Sequence, residues 1–161
     1  MTNYNSEENQ FLTFQSGNEV LGIDILYIKE IKEYHGLTTI PMVPDFIKGV
    51  INLRGKVVPI IDLSIRFGRK TTIITKKTCI VVVEISYEDE KYDVGILVDS
   101  VNEVLKLNPE DIEPSPSFGT NIRNEFIKGF GKIENSFIIL LNIDKVLSIS
   151  EISSMEDKIF N

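Results

Sequence analysis

A segment of 22 residues occurs twice in this chain, at an offset of 80 residues. FIKGVINLRGKVVPIIDLSIRF runs from Phe46 to Phe67, and FIKGFGKIENSFIILLNIDKVL runs from Phe126 to Leu147. The first four residues are identical, and apolar residues then match apolar residues through the second half of each copy. A weaker match, at an offset of 73, pairs GIDILYIKEI, which begins at Gly22, with GILVDSVNEV, which begins at Gly95. The chain is therefore predicted to contain two related modules, with longer connections in the second.

Two copies of a unit are too few for a stacked repeat array, which needs about three or more. We expect instead two packed subdomains within one domain, since 161 residues correspond to about one domain. A seam between subdomains is a favoured place for ligands and partners. The predicted boundaries are a flexible N-terminus over 1–10, one domain over 11–152 with subdomains at roughly 11–75 and 76–152, either interleaved or in tandem, and a polar tail over 153–161.

Strand signals dominate the chain. Val, Ile, Phe, Tyr and Thr recur in short runs that are bounded by Gly, Asn, Asp and Pro, which is typical of strands joined by tight turns. The pattern predicts a mainly β fold built from small barrels with short helices. The predicted strands are Phe11 to Gln15, Glu19 to Asp24, Phe46 to Leu53, Lys56 to Ile61, Lys77 to Ser86, Lys91 to Val98, Phe126 to Ile133 and Phe137 to Leu141.

Helical signals are short. Asp62 is predicted to cap a turn over Leu63 to Phe67, and Asn142 or Asp144 to cap its counterpart in the second copy. The segment from Leu26 to Tyr34 is ambiguous. Its three-residue spacing of apolar side chains suits one helical face, whereas its counterpart, Ser100 to Leu107, is equally compatible with a strand.

Charge and composition exclude several classes of function. A net charge of -7 and a pI near 4.8 argue against nucleic acid as a partner, since phosphate binding needs clustered Lys and Arg. The basic residues that do cluster are explained by a solvated loop between modules; they are Arg66, Arg69, Lys70, Lys76 and Lys77. The sequence shows neither a membrane-spanning apolar stretch nor a signal peptide, which predicts a cytoplasmic protein without direct membrane insertion. The single Cys79 lies in an apolar run and is expected to be a buried, reduced thiol.

Candidates for catalysis are few. The glycines show no phosphate-binding pattern, and His35 has no nucleophile framed around it, so we expect a surface histidine. The acidic residues Glu110, Asp111 and Glu113 predict a solvated loop, and the alternative is a carboxylate or cation site of a small β-barrel hydrolase. No cofactor and no metal are expected. Arg54 stands out because it occupies a hairpin tip where the second copy has Glu134, which suggests a role specific to one module. The alternative is a solvated turn arginine without such a role.

The stretch PDFIKGVINLRGKVVPIIDL, from Pro44 to Leu63, resembles the CheW-like family of bacterial chemotaxis coupling proteins, as do VGILVDSVNEVLKL and IEPSP further along. The resemblance implies two packed five-stranded barrels of SH3-like topology. It also implies an adaptor without enzymatic activity that links the regulatory domain of the histidine kinase CheA to the cytoplasmic tip of methyl-accepting chemoreceptors. Such a protein would be cytoplasmic and recruited to membrane-associated receptor arrays.

The resemblance further implies two sets of contact residues. Those matching receptor contacts are Glu30, Gly49, Arg54, Gly55, Thr78, Gly95 and Val104. Kinase contact is assigned to an apolar face made of Ile28, Ile31 and Tyr34. An adaptor that serves a different chemosensory kinase pathway has the same sequence features and remains an alternative.

Overall fold

The computed structural model describes residues 9–114 and 120–154. Its strands are β1 (Gln10–Ser16), β2 (Glu19–Asp24), β3 (Ile28–Glu33), β4 (Ile47–Leu53), β5 (Lys56–Asp62), β6 (Cys79–Tyr87), β7 (Glu90–Val98), β8 (Ser100–Lys106), β9 (Ile112–Glu113), β10 (Ile127–Ile133) and β11 (Ser136–Leu141). Its helices are α1 (Leu63–Arg66), α2 (Ile143–Leu147) and α3 (Ile149–Ser154). The mainly β fold with short helices is therefore confirmed.

The strands form two sheets. Sheet 1 has the order β8-β1-β2-β11-β10-β9, and sheet 2 has the order β3-β6-β7-β5-β4. Sheet 2 has the five strands that were expected, and the two-residue strand β9 adds a sixth to sheet 1. Most of the predicted flexible N-terminus and tail lies outside the described residues. Gln10 begins β1, and Ser153 and Ser154 end α3.

The two sheets share the chain unequally. Sheet 2 uses one continuous stretch, from Ile28 in β3 to Val98 in β7, whereas sheet 1 takes β1 and β2 from before this stretch and β8 to β11 from after it. Sheet 2 is thus inserted into sheet 1. The expected division near residue 75 does not coincide with this boundary, because β6 and β7 pair with β3 and β5.

The duplicated segments adopt the same structure. In the first copy Gly49 pairs with Ile60 and Leu53 with Lys56, and a bulge lies next to the glycine. In the second copy the pairs Gly129 with Leu140 and Ile133 with Ser136 reproduce this register, including the bulge. Asp62 caps α1 as predicted, by accepting hydrogen bonds from the backbone N–H groups of Ser64 and Ile65.

The weaker match also has a structural basis. Gly22 lies opposite Leu140 on a parallel partner strand, and Gly95 lies opposite Ile60 in the same way in the other sheet. A Cβ atom on Gly22 would come within 2.9 Å of Leu140, and one on Gly95 would overlap Ile60. Both glycines therefore leave room for a large apolar side chain inside their sheet.

Among the residues that the structure describes, three apolar clusters hold the fold together. The largest combines residues of both sheets, such as Phe14 and Ile23 from sheet 1 and Val83 and Ile96 from sheet 2. A second cluster belongs to sheet 2 and contains Leu53, Val58, Ile60, Ile80, Val82 and Leu97. The third belongs to sheet 1 and contains Phe11, Leu107, Ile138 and Leu140. Each sheet thus has its own interior, and a larger apolar interface joins them.

The segment that the sequence left ambiguous is a strand. Residues Ile25–Tyr27 form a single 3-10 turn, and β3 follows. A bulge at Lys29 places both Ile28 and Ile31 opposite residues of the shared interface, namely Val83 and Val81. Tyr34 packs instead against the interior of sheet 2. The three residues proposed as one apolar face therefore do not share a face.

Candidate functional site

An ion pair joins the two edges of sheet 2. The Arg54 guanidinium Nη2 donates to Glu30 Oε2 at 2.6 Å. Glu30 lies on the edge strand β3, and Arg54 lies in the turn that follows β4, the strand at the other edge. Sheet 2 must therefore curl until its edges meet. The other carboxylate oxygen of Glu30 is buried and has no hydrogen-bond partner among the described residues.

Backbone geometry presents the arginine to solvent. Arg54 and Gly55 both have positive φ, +51° and +83°, which is the conformation of a tight two-residue hairpin turn. Asn52 Oδ1 accepts a hydrogen bond from the Gly55 N–H at 2.9 Å and stabilises this turn. The Arg54 side chain is 73% exposed although it is paired. The guanidinium thus keeps donors available for a second carboxylate or carbonyl.

A second charged group lies in the interior of sheet 2. Asp93 is only 4% exposed, and its Oδ2 atom accepts hydrogen bonds from Lys29 at 2.9 Å and from Lys56 at 3.2 Å. Burial alone would raise the pKa of Asp93, but the hydrogen bonds from the two lysines outweigh it and lower the pKa below its ordinary value. The same contact with Asp93 raises the pKa of Lys29. Sequence reasoning missed this cluster, although a lone aspartate in the run YDVGILV was a signal.

Sheet 1 lacks these charges at the matching positions. Val20, Asn102 and Ser136 stand where sheet 2 has Asp93, Lys29 and Lys56. The ion pair is replaced by two carboxylates, Glu103 and Glu134. A groove of about 370 Å³ occurs there instead, and its lining includes Val20, Leu105, Ile133 and Ile138. The two modules therefore share a scaffold. At the positions that match Asp93 and its two lysines, sheet 2 has paired charges, whereas sheet 1 has uncharged side chains and a groove.

The edge strands of the two sheets present equivalent apolar side chains. Ile31 on β3 and Val104 on β8 are each 45% exposed. Both strands lie at the outer edge of their sheet. Val104 is thus on a different sheet from Glu30 and Arg54.

Three of the residues matched to receptor contact are inside the structure. Gly95 faces Ile60 and Ile80, so any effect of changing it on docking would act through packing. Thr78 is buried, and its Oγ1 atom accepts a hydrogen bond from the Thr75 N–H at 2.8 Å. Gly49 packs against the backbone of Thr38, because a Cβ there would lie 2.5 Å from the Thr38 carbonyl oxygen. The structure brings together Glu30, Arg54 and Gly55.

The sequence suggested that Arg66 belongs to a solvated loop, but the structure places its side chain against two aromatic rings. Its guanidinium carbon lies 4.7 Å from the ring centre of Phe46 and 4.8 Å from that of Phe126, the first residues of the two copies. It also donates hydrogen bonds to the Val146 carbonyl at 2.6 Å and to Ser148 Oγ at 2.6 Å. Burial lowers the pKa of Arg66. This arginine is a structural link across the seam between the two copies.

The candidate catalytic groups do not converge. His35 is exposed beside Glu33, and Cys79 is half-buried rather than fully buried, with its thiol pKa raised by burial. Glu110 and Asp111 form a 3-10 turn, and Glu113 belongs to β9. Within 9–114 and 120–154, no three His, Cys, Asp or Glu side chains are grouped as a metal site would require. No helix in these ranges is long and apolar enough to span a membrane.

Comparison with known proteins gives consistent results. The protein-family model of the CheW-like domain matches residues 10–151 of this chain. The chemotaxis protein CheW of Klebsiella aerogenes is 40% identical over 92% of this chain and 87% of its own length. That of Treponema pallidum is 35% identical over 94% and 89%. The crystal structure of the scaffolding protein TtCheW from Thermoanaerobacter tengcongensis superposes with a TM-score of 0.74 at 36% identity, and the match covers 83% of this chain and 88% of that one.

Proposed function

Because the chain belongs to the CheW-like domain family, we propose that it is a chemotaxis adaptor that links methyl-accepting chemoreceptors to the regulatory domain of the histidine kinase CheA. The adaptor binds both partners through surfaces and carries out no reaction itself. It works in the cytoplasm and is recruited by the receptors to their arrays.

The observation that carries this proposal is the Glu30–Arg54 pair at the rim of sheet 2. A mostly exposed guanidinium is held by a partly buried carboxylate and a rigid turn, so its remaining donors are preorganised for a partner. The second copy also has a two-residue hairpin turn at this position and replaces the arginine with Glu134, which also has positive φ. The scaffold therefore does not require the arginine at this position, and a role in binding accounts for it.

Two edge strands supply the remaining contact area. Ile31 on β3 and Val104 on β8 give each sheet an exposed apolar side chain on its edge strand. A helical receptor tip and a kinase domain can each pack against such an edge, and the apolar area provides most of the affinity. Because the two edges lie on different sheets, one molecule can hold two partners at once.

The test compares binding of both partners to one charge-reversal variant. Arg54→Glu places a carboxylate next to Glu30 and should weaken capture of a purified receptor cytoplasmic fragment about tenfold or more. Its circular dichroism spectrum should be unchanged, since Arg54 is an exposed turn residue. Lys91→Glu, at an exposed position in β7, is a matched control. Unchanged affinity for both receptor fragment and kinase domain in Arg54→Glu would remove this residue from the site.

Genes adjacent to this one provide a second test of the client. A neighbouring gene for a CheA-like kinase or a chemoreceptor supports the chemotaxis pathway. A neighbouring kinase of another chemosensory system would assign the same adaptor chemistry to that system.

A further inference from the structure

The connection from α1 to β6, residues 67–78, exposes two isoleucines. Ile73 is 79% exposed and Ile74 is 46% exposed. Isolated exposed apolar residues are common. Two adjacent ones on a projecting loop make a small apolar surface, and removing it from water would be favourable.

Polar contacts on both sides hold this loop in place. On one side, Thr72 donates from its hydroxyl to Asp62 Oδ1 at 2.7 Å and from its N–H to Asp62 Oδ2 at 3.0 Å. Asp62 is fully buried. On the other side, the Thr75 N–H donates to the hydroxyl of buried Thr78 at 2.8 Å. The outward position of Ile73 and Ile74 is therefore set by two anchors.

The loop is basic within an acidic protein. Lys70, Lys76 and Lys77 are exposed, and none of them forms an ion pair with any residue that the structure describes. The whole chain carries a net charge of -7. These lysines thus create a local positive field around an apolar pair, which complements a carboxylate-rich surface.

The loop adjoins the edge that the proposed function uses. The Tyr34 N–H donates to the Thr78 carbonyl at 3.2 Å, and Glu33 pairs with Cys79 in the sheet. The loop therefore ends beside β3, the strand that carries Glu30 and Ile31. Thr78 is itself one of the positions matched to receptor contact.

We propose that residues 70–77 are a docking element for an acidic, partly apolar surface on the receptor partner. Ile73 and Ile74 pack on an apolar spot of that surface, and the lysines pair with carboxylates around it. This inference rests on the proposed function and specifies the chemistry of the receptor surface. A protein surface suits the loop better than an anionic membrane, because the negative charge of the rest of the molecule opposes approach to such a membrane.

Binding of the full chain to a purified receptor cytoplasmic fragment tests the proposal. Ile73→Ser combined with Ile74→Ser should raise the dissociation constant about tenfold. Lys76→Glu combined with Lys77→Glu should weaken binding by a similar factor and reduce its dependence on salt concentration. Lys91→Glu combined with Lys132→Glu is the matched control, because it makes the same charge change at exposed positions of β7 and β10, outside the loop and outside the edge strands β3 and β8. The control pair should bind like the unmodified chain.

The outcomes separate the loop from the adaptor function. If Arg54→Glu abolishes receptor binding while both loop variants bind normally, the loop proposal is wrong and the function stands. If the unmodified chain binds neither receptor fragment nor kinase domain, the proposed function fails. Loop variants that lose only kinase binding, or a loop-dependent association with phosphatidylserine vesicles without an effect on the receptor, would also overturn the inference.

Discussion

Arg66 donates a hydrogen bond from Nε to the carbonyl oxygen of Val146, the residue at the matching position of the second copy, at 2.6 Å. The duplicated segments therefore meet at equivalent points near their ends. The guanidinium also contacts the rings of Phe46 and Phe126, at the start of the two copies. One arginine thus joins the beginning and the end of both copies.

Replacement of Arg66 by leucine should destabilise the fold by about 3 kcal/mol. The change removes charge-assisted hydrogen bonds to the carbonyls of Val146 and Lys145 at the end of α2, together with the contacts with two aromatic rings. Arg66→Lys should recover only part of this loss, because an ammonium lacks the planar fork. Urea unfolding measures the free energy of unfolding of both variants. Lys70→Leu is the control, and equal stability of Arg66→Leu and the control would contradict the structural role.

Gly95→Ala should destabilise sheet 2 by about 1 to 3 kcal/mol, because the new Cβ would overlap Ile60 and lie 2.7 Å from Ile80. Adding Ile60→Val removes the Cδ1 atom that blocks the methyl group. The double variant should therefore be more stable than the sum of the single effects predicts. Thermal or urea unfolding of the three variants tests this coupling.

The matched position in sheet 1 provides a comparison. A Cβ on Gly22 would approach the end of the Leu140 side chain at 2.9 Å, and a flexible side-chain end can move. Gly22→Ala should consequently cost less than Gly95→Ala. A loss of stability in Gly22→Ala that equals or exceeds the loss in Gly95→Ala would contradict this prediction.

Asp93→Asn should lower stability at pH 7 by about 1 to 3 kcal/mol, since Lys29 and Lys56 lose their shared carboxylate. The folded state lowers the pKa of Asp93, so this stabilisation is complete above the unfolded value of about 3.9. It is lost as the pH falls through the folded pKa. As the pH falls below about 4, the free energy of unfolding should therefore decrease more for the unmodified chain than for Asp93→Asn.

Unfolding free energies at several pH values measure this difference. Asp89→Asn, in the exposed turn before β7, is the control and should follow the unmodified chain. Parallel pH profiles for Asp93→Asn and the unmodified chain would exclude the proposed contribution of Asp93 to acid sensitivity.

Asp62→Ala should cost about 3 kcal/mol or more and release the loop at residues 71 and 72. The carboxylate accepts hydrogen bonds from the hydroxyls of Thr71 and Thr72, and it also caps α1. Amide hydrogen exchange should accelerate at Thr72 and through the loop. Asn142→Ala is a matched control, because Asn142 is the N-cap of α2 and makes no side-chain cap hydrogen bond. Similar costs for the two variants would contradict this difference.

The sequence predicted local structure well where pattern and turn chemistry agree. The match between the two copies identified both hairpins and the helices after them, down to the cap at Asp62. It did not predict which sheet each strand joins, because local pattern contains no information on long-range partners. The spacing of Ile28, Ile31 and Tyr34 suggested a helical face, whereas a bulge at Lys29 changes which way the residues of β3 point.

Only part of the candidate site could be predicted from the sequence, because local pattern contains no information on contacts between distant residues. Arg54 was identified from its position in the turn, and Glu30 from the family resemblance, but their contact depends on the curling of sheet 2. Arg66 was grouped with surface lysines because its sequence neighbours are basic. Its actual environment is set by Phe126 and Val146, which are distant in the chain.

The insertion of sheet 2 into sheet 1 has a consequence for the order of folding. Sheet 2 can form as soon as Ile28 to Val98 has left the ribosome, since all of its strands lie in that stretch. β1 and β2 are synthesised earlier but remain an isolated hairpin, which is marginally stable in water. Their sheet partners, β8 and β11, are synthesised only afterwards. The nascent hairpin must therefore either wait or pack on the completed sheet 2, whose apolar face would serve as the template on which sheet 1 closes.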